Sequence, residues 1–341
     1  MAHRLSIAAD RRILRDSVSP HSGVHASSVS TSARGEVAVA WFSGRSEGAA
    51  GTKILVAHGH DDAGFSVEEV SGPGSVAQWN PVVFWEGDDL QVFSQVGESP
   101  STWRTVRSRR TPDGWSHEPC VGPDGSSRGP VRNHVVACGG ILFAGASVED
   151  RRPWASAVDS LAPDATFWQR SWIPGADDVD LIQPALAVID GVLVALLRSS
   201  GGRGYLSRRR ADGTWSAAVP TDLPNNNSGL DVATTPAGAL LAVGNASTID
   251  WGPRCPLLLF HSRDALTWRP VAIIDDGRWA PGDDHLPPPH PGERFDGSLD
   301  GRGEYSYPSI DVSGDRVLVS YTWQRRAIAL AHLSLTAIGV A

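Results

Sequence analysis

The sequence predicts an all-β fold, a six-bladed β-propeller whose ring is closed by a strand from the N-terminus. Gly and Pro number 36 and 24 among the 341 residues, a proportion typical of a chain with many tight turns. Thirteen Trp are present, beside only four Tyr and one Met. One pattern, an apolar strand, a short turn with Gly and a second apolar strand, recurs along the chain. A repeat of this kind is typical of a propeller.

The first repeat is a hairpin that occurs six times. Its turn contains a glycine in every copy, namely Gly35, Gly87, Gly140, Gly191, Gly238 and Gly314. These glycines are separated by 52, 53, 51, 47 and 76 residues. The interval predicts one four-stranded blade per repeat, with each hairpin forming the first and second strands of its blade. The long last interval holds a polar insertion at about residues 275–302.

A second repeat alternates with the first. Five turns place an acidic or turn residue just before an aromatic residue, and these aromatics are Phe65, Trp115, Trp168, Trp215 and Trp268. The turns resemble degenerate Asp-boxes (S-x-D-x-G-x-x-W), which join the third and fourth strands of a propeller blade. We expect the Asp to bond its own turn and the aromatic to pack between strands. Most of the tryptophan excess is therefore structural.

The sixth blade has no Asp-box of its own. Its third strand is predicted in AIALAHLSL, and its fourth in the N-terminal segment HRLSIAADRRILR. A ring closed by strands from both ends leaves no free sheet edge. The sequence therefore predicts a single domain over residues 1–341.

Composition and charge exclude several classes of protein. The 30 basic and 38 acidic residues give a net charge of −8 without a basic run, so no nucleic-acid partner is expected. No apolar stretch reaches the roughly 18 residues of a membrane span, and the N-terminus does not resemble a secretory signal. Three distant cysteines (Cys120, Cys138 and Cys255) indicate thiols without a metal. We expect a cytoplasmic protein without a metal or cofactor, either a monomer or a weak homo-oligomer.

Strand direction alternates within a blade, so the loops between second and third strands open on the same face as the crossovers between blades. Arg198 and Arg325 directly follow apolar strands that face the channel, where a cation requires an anionic partner. The mouth of the propeller on this face is therefore the predicted pocket for a polar ligand. Its candidate residues are His25, Glu47, Trp79, Asn80, Arg132, Asn133, His134, Glu149, Gln183, Arg198, Tyr305, Tyr307 and Arg325.

Several of these segments resemble one family. The series HASS, AWFSGRSEG, WNPVVF, GPVRNH, IQPALAVIDGVLVALLRS, LPNNNSGLD and EYSYPSI is similar to that of the sialidase-like (BNR or Asp-box repeat) proteins, bacterial exo-α-sialidase-type proteins. The resemblance spans roughly residues 24–335. It implies a glycoside hydrolase that acts on a small anionic carbohydrate or glycoside.

The resemblance also implies how the carboxylate of such a substrate is bound. Sialidases hold it with three Arg, and Arg198 and Arg254 match the second and third of these. Arg325 is a further candidate for the same task. His25 stands where the first Arg is found in these enzymes, and a His provides no bidentate fork for a carboxylate.

The catalytic residues of the family match less completely. Tyr305, in the pair Tyr305-Ser306, matches the nucleophile, and Glu47 matches the acid/base. Gln183 stands where these enzymes have the Glu that activates the Tyr, and an amide cannot take the proton of a tyrosine. Glu304 and His25 are the alternative bases.

Two other functions stay open at this point. A lyase that removes the proton α to a uronate carboxylate needs a Tyr/His pair and an Arg that neutralises the carboxylate. Tyr305 with His25 or His134 supplies such a pair. The third hypothesis is a propeller that binds carbohydrate without catalysis.

Overall fold

A computed structural model describes residue 5 and residues 10–60, 64–70, 75–150, 152–176, 178–278 and 301–340. It shows six four-stranded antiparallel sheets, the six-bladed β-propeller that the repeats predicted. Within the predicted insertion at 275–302, residues 279–300 lie outside the described part of the chain.

The first three blades follow one another in chain order. Blade one contains β2 (His25–Thr31), β3 (Val37–Ser43), β4 (Lys53–His60) and β5 (Gly64–Glu69). Blade two contains β6 (Gln78–Glu86), β7 (Asp89–Val96), β8 (Arg104–Thr111) and β9 (Gly114–Pro119). Blade three contains β10 (Val136–Cys138), β11 (Ile141–Val148), β12 (Ala155–Leu161) and β13 (Gln169–Trp172).

The other three blades complete the ring. Blade four contains β14 (Leu181–Ile189), β15 (Val192–Ser199), β16 (Arg203–Arg208) and β17 (Val219–Pro224). Blade five contains β18 (Asp231–Thr234), β19 (Leu240–Asn245), β20 (Leu257–Ser262) and β21 (Arg269–Asp275). Blade six contains β22 (Tyr305–Ser313), β23 (Arg316–Trp323), β24 (Ala327–Ser334) and the N-terminal β1 (Asp10–Ile13). Within the described ranges, two short 3-10 helices span Arg15–Ser17 and Pro100–Thr102.

The closure of the ring follows the prediction. Strand β1 pairs with β24 in antiparallel register, with Arg11 opposite Ala331. The Arg11 guanidinium also donates to the Ile274 carbonyl at 3.1 Å, at the end of blade five. The N-terminal segment thus completes blade six and contacts blade five.

The Asp-box turns form as expected. The Asp264 carboxylate accepts the N–H groups of Leu266 and Thr267 at 2.8 and 2.7 Å, inside the turn between β20 and β21. The Trp that follows each box is buried in the last three of these blades, at Trp168, Trp215 and Trp268. These aromatics belong to the apolar clusters that hold the blades together. No helix within the described ranges is long and apolar enough to cross a bilayer.

Candidate functional site

A β-bulge recurs near the start of the first strand in four of the six blades. The register of that strand shifts after His25, Trp79, Ile182 and Ser306. One residue of each bulge has a positive φ, namely Ala26 (54°), Asn80 (44°), Gln183 (51°) and Tyr307 (50°). Side-chain-bearing residues rarely adopt this conformation, and it redirects the side chain that follows the break in pairing.

The bulge explains where the two tyrosines of β22 lie. Tyr305, the predicted nucleophile, has a fully buried ring in the apolar cluster of blades five and six, edge-on to Trp323. Its hydroxyl accepts a hydrogen bond from Gln324 Nε2 at 3.1 Å. The expectation that Tyr305 faces the mouth is therefore wrong. The alternation of side chains between the two faces of β22 breaks between Ser306 and Ser309. The ring of Tyr307 therefore lies beside Arg198 and Arg254 instead.

Arg198 and Tyr307 form the centre of the site. Arg198 Nη1 donates to the Tyr307 hydroxyl at 2.8 Å and to Gln183 Oε1 at 3.1 Å. Its Nε donates to Asn227 Oδ1 at 2.9 Å. The side chains that the sequence placed on blades four and six thus meet at the mouth. Gln183 therefore accepts a hydrogen bond from Arg198 through an uncharged amide and forms no ion pair with it.

An aromatic residue that the sequence analysis missed completes this centre. Trp251 is 44% exposed, and its ring lies 5.5 Å from the guanidinium carbon of Arg198 and 6.0 Å from that of Arg254. The Tyr307 ring lies 5.7 and 5.6 Å from the same two carbons. The two guanidiniums therefore share the same pair of aromatic neighbours. The sequence did contain a signal for Trp251 as a site residue: it lies in the loop between β19 and β20, three residues before Arg254.

A buried carboxylate, Glu304, is the anionic partner of two of the arginines. Arg254 Nη1 lies 2.5 Å from its Oε1, and Arg325 Nε lies 2.6 Å from its Oε2. Arg325 also forms an ion pair with Glu47. Burial alone would raise the pKa of Glu304, but Arg325 and Arg254 outweigh it and hold that pKa well below its ordinary value. The sequence analysis required an anionic partner for Arg325, and Glu304 and Glu47 are that partner.

His25 packs beside the same tyrosine. Its ring centroid is 4.2 Å from that of Tyr307, and its Nδ1 is 2.9 Å from Thr322 Oγ1. Its Nε2 is buried without a hydrogen-bond partner among the described residues. Burial and the neighbouring Arg325 lower the pKa of His25 well below its ordinary value, so the imidazole is neutral at physiological pH.

The crossover into blade three contributes further residues. His134 Nε2 lies 3.0 Å from Asp231 Oδ2 of blade five and 2.9 Å from Ser309 Oγ of blade six. Burial lowers the pKa of His134, but Asp231 outweighs burial and the net shift is upward. Asn133 Nδ2 donates to the Gln183 carbonyl at 2.8 Å.

Arg132 contacts the centre of the site through Tyr307. Its Nη2 donates to the Pro308 carbonyl at 2.6 Å, and its guanidinium carbon lies 5.1 Å from the Tyr307 ring. Arg132 is therefore held by the backbone next to the bulge of β22.

Three further predicted residues form the edge of the site toward blades two and three. Glu149 accepts a hydrogen bond from Ser147 Oγ at 2.8 Å and contacts Gln183, and burial raises its pKa. Trp79 donates from Nε1 to the Gly97 carbonyl at 2.8 Å. Asn80 is buried at the bulge of β6.

The described residues contain no group of three or more His, Cys, Asp or Glu side chains that is placed to hold a metal ion.

Comparison with known families and proteins gives one family match. The model of the BNR repeat-like domain matches residues 35–319. No curated protein matches the chain in sequence.

Solved structures match over most of the chain. A Dyadobacter fermentans protein of unknown function is 14% identical, with a TM-score of 0.70 over 96% of this chain and 98% of that one. The Hadza microbial sialidase Hz136 is 16% identical, with a TM-score of 0.67 over 92% of this chain and 66% of that one. The Trypanosoma rangeli sialidase is 12% identical, with a TM-score of 0.66 over 98% of this chain and 59% of that one. The chain is thus shorter than both sialidases and has their propeller fold.

Proposed function

This chain belongs to the sialidase-like family of BNR-repeat propellers, and on that premise we propose that it is a glycoside-processing enzyme that binds an anionic sugar at the mouth. The proposal depends on one observation above all. Arg198 and Arg254 both flank Tyr307, and Arg198 is hydrogen-bonded to its hydroxyl.

Arg198 is the residue that we propose binds the carboxylate of the sugar. Its side chain is buried, and its hydrogen-bond partners in the described part of the chain are the uncharged Gln183, Asn227 and Tyr307. Arg254 has the carboxylate of Glu304 beside it. The Glu149 carboxyl acts on Arg198 electrostatically without a hydrogen bond to it. Nη2 of Arg198, which donates to none of those three uncharged residues, is the group that we propose binds the carboxylate of the sugar.

Hydrolysis of the sialidase type is the reaction that we propose. Tyr307 then takes the role of nucleophile that the sequence assigned to Tyr305: its oxygen would bond the anomeric carbon as the glycosidic bond breaks, and its proton would pass to the neutral imidazole of His25, whose ring lies beside it. Glu47 keeps the role of acid/base and would protonate the leaving oxygen. The positive charge of the surrounding arginines complements the negative charge of an attacking tyrosine oxygen. Glu47 forms an ion pair with Arg325, which in turn pairs with Glu304.

An aryl sialoside that releases a fluorophore tests this proposal. We expect the wild-type protein to cleave it, and Arg198→Ala and Tyr307→Phe each to lower kcat/KM by about 100-fold or more. Tyr305→Phe is the matched control and should leave kcat/KM within about twofold, because that hydroxyl contacts Gln324 in the core. Loss of turnover in Tyr305→Phe alone would contradict the assignment. Binding without turnover in the wild type would instead support a non-catalytic carbohydrate-binding propeller.

Elimination on a uronate is the second candidate, and His25 is the observation that favours it. A neutral imidazole packs against the Tyr307 ring at an interplanar angle of 43°, and its Nε2 has no partner in the described ranges. Such a base can take the proton α to a carboxylate that Arg198 neutralises. A C=C bond then forms as the 4-O-substituent leaves and takes up a proton.

Ultraviolet absorbance separates the two reactions. Elimination from a uronate oligosaccharide produces a conjugated, absorbing double bond, whereas hydrolysis does not. We expect this absorbance to be lost in His25→Ala if elimination is the reaction. No rise in absorbance with the wild type would exclude this candidate for the uronate tested.

A further inference from the structure

Glu149, in the loop after β11, lies one side chain away from Arg198. Gln183 joins the two, because its Oε1 accepts from Arg198 Nη1 at 3.1 Å and its side chain is also hydrogen-bonded to Glu149. The amide Nε2 is the only donor of that side chain, so it points to the carboxyl group. Two hydrogen bonds and one amide therefore separate the carboxyl group from the guanidinium, a span of at most about 8 Å.

A second acid lies in a similar position on the other side of Arg198. Asn227 accepts from Arg198 Nε at 2.9 Å through Oδ1, and its Nδ2 donates to Asp250 Oδ1 at 2.9 Å. The two acids differ in their contact with water, since Asp250 is exposed whereas Glu149 is half-buried. Water screens the charge of Asp250, so Glu149 has the stronger electrostatic interaction with Arg198.

Two opposing effects act on the Glu149 carboxyl group. Burial favours its neutral form and raises its pKa above the ordinary value of 4.5. The charge of Arg198 and the hydrogen bonds from Ser147 and Gln183 favour the ionised form, and Ser147 Oγ donates to Oε1 at 2.8 Å. Because Arg198 contributes to this balance, a ligand that neutralises Arg198 shifts it toward the neutral carboxyl group.

The other charged groups near this carboxyl group are already paired or exposed. It lines a cavity of about 160 Å³ between blades two and three, together with Arg128 and Arg170. Arg128 forms an ion pair with Asp124 at 2.9 Å, and Arg170 forms one with Asp159 at 2.7 Å. Asp150 also lines the cavity, but it is exposed to water. The cavity therefore connects the carboxyl group to solvent without offering it an unpaired cation.

An anionic ligand changes the electrostatics of Glu149. A carboxylate bound to Arg198 Nη2 would neutralise the guanidinium and place a second negative charge near Glu149. Repulsion between two like charges at roughly 8 Å in a protein changes a binding constant by about tenfold. Uptake of one proton by Glu149 removes this repulsion, and water in the cavity supplies the proton.

We propose that Glu149 takes up a proton when an anionic sugar binds to Arg198, and that it is a specificity-determining residue of the site. The inference rests on the proposed function and deepens it. The carboxylate of Glu149 becomes a carboxylic acid in this step, and no bond of the ligand is broken. Affinity for the anion is therefore highest below the pKa of Glu149 and falls as the pH rises through it.

Calorimetric titration with methyl α-sialoside, in two buffers of different ionisation enthalpy, counts the protons taken up. The carboxylate of this probe is ionised above about pH 4, so it contributes none. Between about pH 4.5 and 7.5 we expect the wild type to take up as much as about one proton and to lose about tenfold in affinity. Glu149→Gln should keep the tight, low-pH affinity throughout this range and take up no proton at this position.

Asp250→Asn is the matched control, because it removes an exposed acid that an amide joins to Arg198 in the same way. It should keep the proton uptake of the wild type. Ser147→Ala gives an independent readout, since it removes a hydrogen bond to the ionised form of Glu149. The pH at which uptake occurs should therefore rise in this variant.

His25 and His134 are the other titratable groups close to the arginines of the mouth. Uptake that persists unchanged in Glu149→Gln would assign the proton to one of these imidazoles and overturn the inference. A wild-type affinity that is constant with pH would also overturn it, and both results leave the proposed function intact. Absence of binding at every pH would instead refute sialoside recognition at the mouth, and the inference with it.

Discussion

Tyr305 and Tyr307 show how one residue's environment depends on local backbone geometry. The two lie on one strand, yet one is in the apolar core and the other contacts three arginines. A signal in the sequence was available, because Tyr307-Pro308 repeats the dipeptide pattern of Asn80-Pro81 and Gln183-Pro184. In each case the residue before the Pro has the positive φ of the bulge. The pair Tyr305-Ser306 lacks that context.

Glu304 is the residue whose charge the site depends on most. Glu304→Gln would leave Arg254 and Arg325 buried without this shared carboxylate, and we expect the free energy of unfolding to fall by about 3–5 kcal/mol. Urea unfolding at neutral pH measures this loss. Glu69→Gln, which removes an exposed ion pair with Lys53, is the control and should cost less than about 1 kcal/mol.

The stability difference between the wild type and Glu304→Gln should also depend on pH. Because the pKa of Glu304 is lowered in the folded protein, its stabilisation is present above the ordinary value of 4.5 and is lost as the pH falls below it. The difference between wild type and Glu304→Gln should therefore narrow on acidification. A difference that is constant with pH would contradict the charge-based account.

At the scale of the element, the Asp-box turn is a repeated unit whose aromatic residue is buried to different degrees. Trp215 in blade four is 2% exposed and packs in an apolar cluster, whereas Trp115 in blade two is half-buried and donates to Glu68 at 3.1 Å. The two occupy equivalent turns. The same sequence pattern therefore contributes unequally to stability.

The difference in burial between Trp215 and Trp115 predicts different losses of stability when each is replaced by Ala. Trp215→Ala should lower the free energy of unfolding by about 3–5 kcal/mol, because it leaves a cavity in the core of blade four. Trp115→Ala should cost clearly less, since part of that ring is already in water. Denaturant unfolding of both variants checks the ranking, and equal losses would show that burial does not decide it.

At the scale of the whole molecule, closure of the ring depends on a short strand. Strand β1 covers the edge of β24, and the Tyr321 hydroxyl of the same blade donates to Asp275 Oδ2 of blade five at 2.7 Å. Burial raises the pKa of Asp275, and Arg11 of β1 lies 3.8 Å from its Oδ1. Blades five and six are thus joined through a buried polar contact as well as apolar packing.

Removal of residues 1–14 should therefore open the ring at one edge. The uncovered backbone of β24 would pair with another chain, because an exposed strand edge is a template for association. Size-exclusion chromatography with light scattering should show a larger mass and a lower melting temperature than for the full chain. An unchanged mass and melting temperature would show that β1 is dispensable for closure.

The sequence by itself determined the architecture, and it predicted the face on which the candidate site lies. Glycine turns and Asp-box aromatics at regular intervals are local signals, since each depends on residues within one hairpin. They fixed the number of blades, the closing strand and the loops that share the mouth. Strand direction assigned Arg198, Gln183 and His25 to that face and the family resemblance added Arg254, and the structure shows Arg198 hydrogen-bonded to Gln183.

Only the tertiary structure decided which groups meet within that face. Bulges redirect side chains without changing the hydrophobic pattern, so strand counting could not separate Tyr305 from Tyr307. Ion pairing between Arg325, Glu304 and Arg254 joins residues of different loops, and no spacing in the chain encodes it. The contact between Trp251 and Arg198 arises in the same way, because residues of two different blades meet only once the blades have packed.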